Sequence, residues 1–179
     1  GVQLQEDNLL GTGQKIDLEW ESDVDRESLA LSYFNPHFLE SFTCLSATYV
    51  DSDDGSEKAF GLARPFYALD VRRAGGMFLA DGERIESRYQ LGEVTGEFEH
   101  RDEYYEVHGG WSRGLRGRSV RRWTAGVTYE RDEFAPSPDE VLGGPLPKDR
   151  ELLYPWIGVE WVEDSYQERT NQDQILRTE

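Results

Sequence analysis

His100 and His108 lie among Glu97, Glu99, Glu103 and Glu106, and imidazole with carboxylate is a donor set that holds zinc and related ions. The eight-residue spacing fits no helical metal motif. On an extended strand Glu106 and His108 share a face, but one acid beside one imidazole is ordinary furniture of a hydrated polar wall, so no metal is expected. Asp51, Asp53, Asp54 and Gly55 open like a calcium loop, yet the twelfth position is Leu62 instead of a bidentate glutamate. The Asp54-Gly55 pair reads as a hairpin tip. Arg113, Arg116, Arg118, Arg121 and Arg122 form the one basic cluster, at a short turn that could meet lipid headgroups or a partner and that solvation explains equally well. The sequence contains no Gly-x-Ser-x-Gly elbow, Gly-Lys phosphate loop or dinucleotide fingerprint. The chain is therefore read as a non-enzyme without cofactors. Cys44 is the single cysteine, which excludes an internal disulfide and suits a small buried or lipid-facing residue.

What carries information instead is the spacing of apolar residues. From Arg121 to Asp132, Trp123, Ala125, Val127 and Tyr129 alternate with Arg122, Thr124, Gly126, Thr128 and Glu130. A period of two is a strand with one apolar face. The pattern recurs in Ile16, Leu18 and Trp20, in Leu29, Leu31 and Tyr33, and in Leu45, Ala47 and Tyr49. It returns in Tyr105, Val107, Gly109 and Trp111, and in Ile157, Val159 and Trp161. Less regular strands are expected over about Lys58 to Tyr67, where Gly61 and Pro65 intrude, and from about Arg72 to Leu79. The charged stretch from Asp81 to Arg101 reads either as a prolonged hairpin or as a long loop. About eight strands follow.

Composition narrows the setting. The chain has 179 residues, a hydrophobic fraction of 37%, a mean hydropathy of -0.72 and 31% charged residues, too polar for a thick core. Transmembrane barrels read as hydrophilic because only alternate strand residues meet lipid. No apolar run approaches the roughly 18 residues of a membrane-spanning helix, so any insertion would use strands. The net charge of -17 argues against a nucleic-acid partner. Connections near Leu39 to Ser41, Leu69 to Val71 and Leu115 to Arg118 look short, and those near Asp51, Glu93 and Pro138 look long. Outer-membrane barrels segregate short and long ends in that way.

Three segments carry a resemblance. Asn8-Leu9-Leu10-Gly11-Thr12-Gly13-Gln14, followed by an alternating strand, resembles the first barrel strand of the bacterial surface-antigen superfamily of outer-membrane β-barrels, the BamA- and TamA-like proteins. Tyr33-Phe34-Asn35-Pro36-His37-Phe38 is similar to the stretch that ends that family's second strand, with Asn35 where aspartate is commoner. Tyr154 to Trp161, with the tail from Asn171 to Glu179, resembles a mid-barrel strand and the lead into the next.

The resemblance implies a sixteen-stranded barrel of which residues 1–179 form the amino-terminal half, with 164–179 connecting to further strands. Gly1 in place of an initiator Met agrees with a piece of a longer chain. It also implies location in the bacterial outer membrane and a part in protein insertion, assembly or export. Leu10, Gly11, Thr12 and Gly13 become the candidate seam strand, able to pair with client outer-membrane or secreted proteins by β-augmentation, although the two glycines would equally suit a turn.

The expected fold is thus an all-β, antiparallel up-and-down meander, part of a transmembrane barrel. The expected lipid-facing residues are Ile16, Leu18, Leu29, Leu31, Leu45, Tyr49, Val107, Trp123, Val127 and Tyr129. Expected partners are the lipid bilayer and further barrel strands, and an isolated half could dimerise through its edges. The alternatives are a soluble lipocalin-like barrel with the apolar face turned inward around a small ligand, and a membrane anchor for a secreted or lipolytic passenger.

Overall fold

The computed structural model describes residues 1–23, 26–137 and 145–163. Nine strands follow one another: β1 (Val2–Leu9), β2 (Gln14–Ser22), β3 (Glu27–Phe38), β4 (Thr43–Ser52), β5 (Gly55–Arg64), β6 (Arg73–Gln90), β7 (Glu93–Ser112), β8 (Ser119–Pro136) and β9 (Arg150–Glu163). They form a single antiparallel sheet in sequence order. Each strand contacts only its sequence neighbours, so among the described residues β1 and β9 do not meet and the sheet is open. The all-β meander expected from the alternation is present.

Three expectations change. Among the described residues there are nine strands, because β1 precedes the segment read as the first strand. Leu10, Gly11, Thr12 and Gly13 are the turn joining β1 to β2, with positive φ at Leu10, Gly11 and Gly13, and are not an edge strand. The Asn8 carboxamide oxygen accepts from Gly13 N at 2.7 Å and closes that turn. The glycines serve backbone geometry there. The free edge on this side is β1.

The connections also differ. The joints near Asp51 and Glu93 are tight turns at Asp53-Asp54 and Leu91-Gly92. The charged stretch from Asp81 to Arg101 is the outer half of one long hairpin, paired without interruption from Arg73↔Trp111 to Arg88↔Gly96. Asymmetry between the two ends therefore comes from strand length. β6, β7 and β8 run on past their apolar segments, while the other end carries the turns at 10–13, 39–42 and 113–118 and the connection 65–72. Residues 138–144 and 164–179, with the breaker-rich loop and the polar tail, lie outside the described residues.

One layer of sheet has little interior. The buried apolar side chains among the described residues are Val71, Phe98 and Val120. Val71 and Val120 sit where the connection 65–72 folds back onto the sheet. Phe66 of that connection occupies the space beside Gly110, where a Cβ would come within 2.8 Å of its ring. Arg122 lies over the Phe66 ring at 5.0 Å, donates to Ala68 O at 3.2 Å and pairs with Glu160 at 2.9 Å.

Candidate membrane interface

The register assigns every strand residue to one of two faces. One register row passes through Leu4, Leu18, Leu31, Tyr49, Lys58, Asp81, Glu103, Arg131 and Glu151. The next row on the same face runs Ile16, Tyr33, Ala47, Phe60, Leu79, Tyr105, Tyr129, Leu153. Beyond it come Leu45, Leu62, Met77, Val107, Val127 and Pro155. All ten residues expected to face lipid lie on this face. It is the more open one: Val107 is 60% exposed, Ile157 74% and Trp161 67%.

The opposite face is polar and more enclosed. On β8, Thr124, Gly126 and the 1%-exposed Thr128 alternate with the exposed Trp123, Ala125 and Val127. This arrangement is the reverse of a lipocalin-like interior. Cys44 also points to the polar face, opposite Ala63 and 3.7 Å from the Pro36 carbonyl oxygen, so the lipid-facing option for it falls.

The apolar residues make a belt that crosses the register rows obliquely. On β2 the belt is Ile16, Leu18 and Trp20; on β5 it is Phe60 and Leu62; on β8 it runs from Trp123 to Tyr129; on β9 it runs from Leu153 to Trp161. The row through Leu18, the middle of the belt on β2, reaches β9 at Glu151, six residues from the belt's middle at Ile157. The drift is about 0.9 residue per strand step. With a rise of ~3.4 Å per residue and strands ~4.8 Å apart, a level belt requires strands tilted by roughly 30°. Along β9 the belt measures roughly 27 Å, or about 23 Å in height at that tilt.

Each margin of the belt has its own chemistry. Toward the long hairpin stand Lys58, Asp81, Glu103, Arg131 and Glu151, with Tyr105 and Tyr129 stacked at 5.9 Å just inside. Toward the short turns stand Trp111, Trp123 and Trp161, with Arg113 over Trp111 at 5.6 Å and Arg121 over Trp161 at 4.7 Å.

The polar face carries His100 and His108. The Glu97, Glu99 and Glu103 side chains lie on the other face, so the acid-histidine cluster of the sequence is split by the sheet. His108 Nδ1 is 3.2 Å from Glu106 Oε1. His100, beyond the belt, bridges Glu86 Oε1 at 2.7 Å and Asp132 Oδ1 at 3.1 Å. Burial raises the pKa of both carboxyl groups, but hydrogen bonds with His100, and with Arg84 at Glu86 and Arg150 at Asp132, outweigh it and leave both below the ordinary carboxylate range. Among the described residues no set of three or more His, Cys, Asp or Glu is arranged to hold a metal. Asp53 and Asp54 form the hairpin turn, tied to the β2–β3 link by Arg26–Asp54 at 3.0 Å.

Comparison with family models, with curated proteins and with solved structures finds no match.

The obliqueness of the belt and the inward fold of 65–72 were not expected from the sequence. The first needs the register between strands, which alternation within one strand does not contain. The second had a local signal in Pro65, which ends β5 and frees Phe66 to turn onto the polar face.

Proposed function

We propose that this sheet is part of the wall of a transmembrane β-barrel in the bacterial outer membrane, and that it works there in protein insertion, assembly or export without catalysing a reaction. The observation that carries the membrane reading is the oblique belt. Any closed barrel tilts its strands, but a soluble one has no reason to hold an apolar belt at constant height on its more exposed face. A bilayer imposes that, and transmembrane barrels tilt their strands by ~35–45° around an apolar band about 25 Å tall. In water the same face, nine strands or roughly 40 Å across, would far exceed the few hundred Å² of apolar patch that soluble monomers expose.

The free edges support the rest of the reading. Among the described residues β1 and β9 each present an unpaired row of backbone donors and acceptors, which in hydrocarbon must be paired with further strands. An edge that can open also recruits a strand of another protein. The family resemblance of the opening segment points the same way, with β1 in place of residues 10–13 as the recruiting edge.

The test is disulfide capture in proteoliposomes. With Cys44→Ser as background, cysteines at Gln3 and Gln5 are expected to trap a cysteine on the terminal strand of a β-barrel client during its insertion. A chain that inserts but never cross-links through β1, and does not speed client folding over empty vesicles, contradicts the assembly role.

A further inference from the structure

At the short-turn margin of the belt, β7, the 113–118 turn and β8 enclose an open cavity of about 370 Å³. Trp111 and Trp123, direct cross-strand partners, form one side, and Arg113, Arg116 and Arg121 the other. We propose that this cavity is a binding site for the phosphate headgroup of an anionic glycerophospholipid in the adjacent leaflet. The proposal rests on the membrane reading above and adds a ligand to it.

Charge makes the first part of the case. The chain carries 36 acidic against 19 basic residues, so a cation without a carboxylate partner is conspicuous. The ion pairs among the described residues use other arginines, and none engages Arg113, Arg116 or Arg121. Three guanidinium groups thus line one cavity without an ion-pair partner among the described residues. At the opposite margin of the same face Arg101 and Arg131 are held by Glu83 and Glu133.

Geometry makes the second. A guanidinium held over an indole, as Arg113 over Trp111 and Arg121 over Trp161, still has N–H donors to offer the paired oxygens of a phosphate. The turn is fixed in advance: Arg116 and Ser119 exchange backbone hydrogen bonds at 3.0 and 3.3 Å, and Ser112 Oγ accepts from Gly114 N at 3.0 Å. Gly114 and Gly117 supply the positive φ angles that this tight return needs. Height makes the third. The cavity adjoins the last apolar row, where indoles sit at the level of headgroups, so acyl chains have Val107, Ala125 and Val127 to lie against.

The test uses the full chain in phosphatidylcholine bilayers, with tryptophan quenching by brominated lipid as the readout. Brominated phosphatidylcholine quenching the native protein establishes contact with hydrocarbon. Brominated phosphatidylglycerol is then expected to quench with a preference on the order of tens of fold at low salt, shrinking above ~0.15 M. In R113Q/R116Q/R121Q that preference is expected to fall to near unity while quenching by the neutral lipid persists, which also shows that the variant is inserted. R113K/R116K/R121K is expected to fall between the two, since charge is kept and the bidentate fork lost. A preference that survives the glutamine variant, or is absent from the native chain that neutral lipid quenches, overturns the site. Abolition of the preference by millimolar inorganic phosphate at constant ionic strength also overturns the lipid assignment. Quenching by neither lipid removes the membrane reading itself.

Discussion

The indole of Trp156 occupies the space that a side chain at Gly126 would fill: a Cβ there would lie 2.7 Å from the ring carbons Cε2 and Cζ2 and 2.9 Å from His108 Cβ. Trp156 Nε1 donates to Thr128 Oγ1 at 3.2 Å, so the ring is held in place. Gly126→Ala is expected to cost about 1 to 3 kcal/mol by overpacking. Gly109→Ala, where a Cβ would meet nothing within 4 Å, is expected to be close to neutral. Urea midpoints of the detergent-folded variants check the contrast.

Val127 sits mid-belt on β8 between Ala125 and Tyr129. In a bilayer Val127→Arg is expected to destabilise by roughly 2 to 4 kcal/mol. The native side chain is 48% exposed, and in a water-soluble protein the same change at such a site costs about 0.5 kcal/mol or less. Equilibrium unfolding in lipid vesicles distinguishes these values.

The outer half of the β6–β7 hairpin depends on His100 between Glu86 and Asp132. Both carboxyl groups have folded pKa values below their unfolded ones, so the stability they confer is present above the unfolded carboxylate value of about 4 and is lost as pH falls through the lowered folded values. Amide exchange over residues 83–101 is expected to quicken below about pH 4 while the belt segments stay protected. His100→Ala is expected to produce the same loosening at neutral pH.

Arg122 holds the connection 65–72 against the polar face through Phe66, Ala68 O and Glu160. Its Nε is buried without a partner, so part of the guanidinium's desolvation is uncompensated. Arg122→Ala is expected to free the connection, seen as new proteolytic cleavage within 65–72 and a loss of about 1 to 3 kcal/mol.

Alternation alone was enough to place β2, β3, β4, β7 and β8 and to collect on one face all ten residues expected to meet lipid, because a period of two fixes which side chains travel together. β1 escaped notice since only Val2 and Leu4 alternate before Glu6, Asp7 and Asn8. Residues 10–13 were read as a candidate seam strand because Gly11 and Gly13 could serve either a weak strand or a turn, and positive φ angles decide for the turn. The charged outer half of β6 and β7 gave no apolar period, because its enclosed face holds Gly96 and His100 beside a single Phe98 and its other face is charged. Trp111, Arg113, Arg121 and Trp123 were each visible in the sequence, but their grouping around one cavity depends on the β7–β8 register.

The oblique belt is tested most directly by depth. Nitroxides placed singly at Leu18, Ile157 and Glu151, with Cys44→Ser as background, report immersion through oxygen against nickel-chelate accessibility in bilayers. Leu18 and Ile157 are expected at the same depth in hydrocarbon. Glu151, on the register row of Leu18, is expected roughly 17 Å shallower, given about 34 Å of sheet between β2 and β9 and a ~30° tilt. Equal depth for Leu18 and Glu151, or exclusion of oxygen from Leu18 and Ile157, would contradict a sheet set in the membrane by its apolar face.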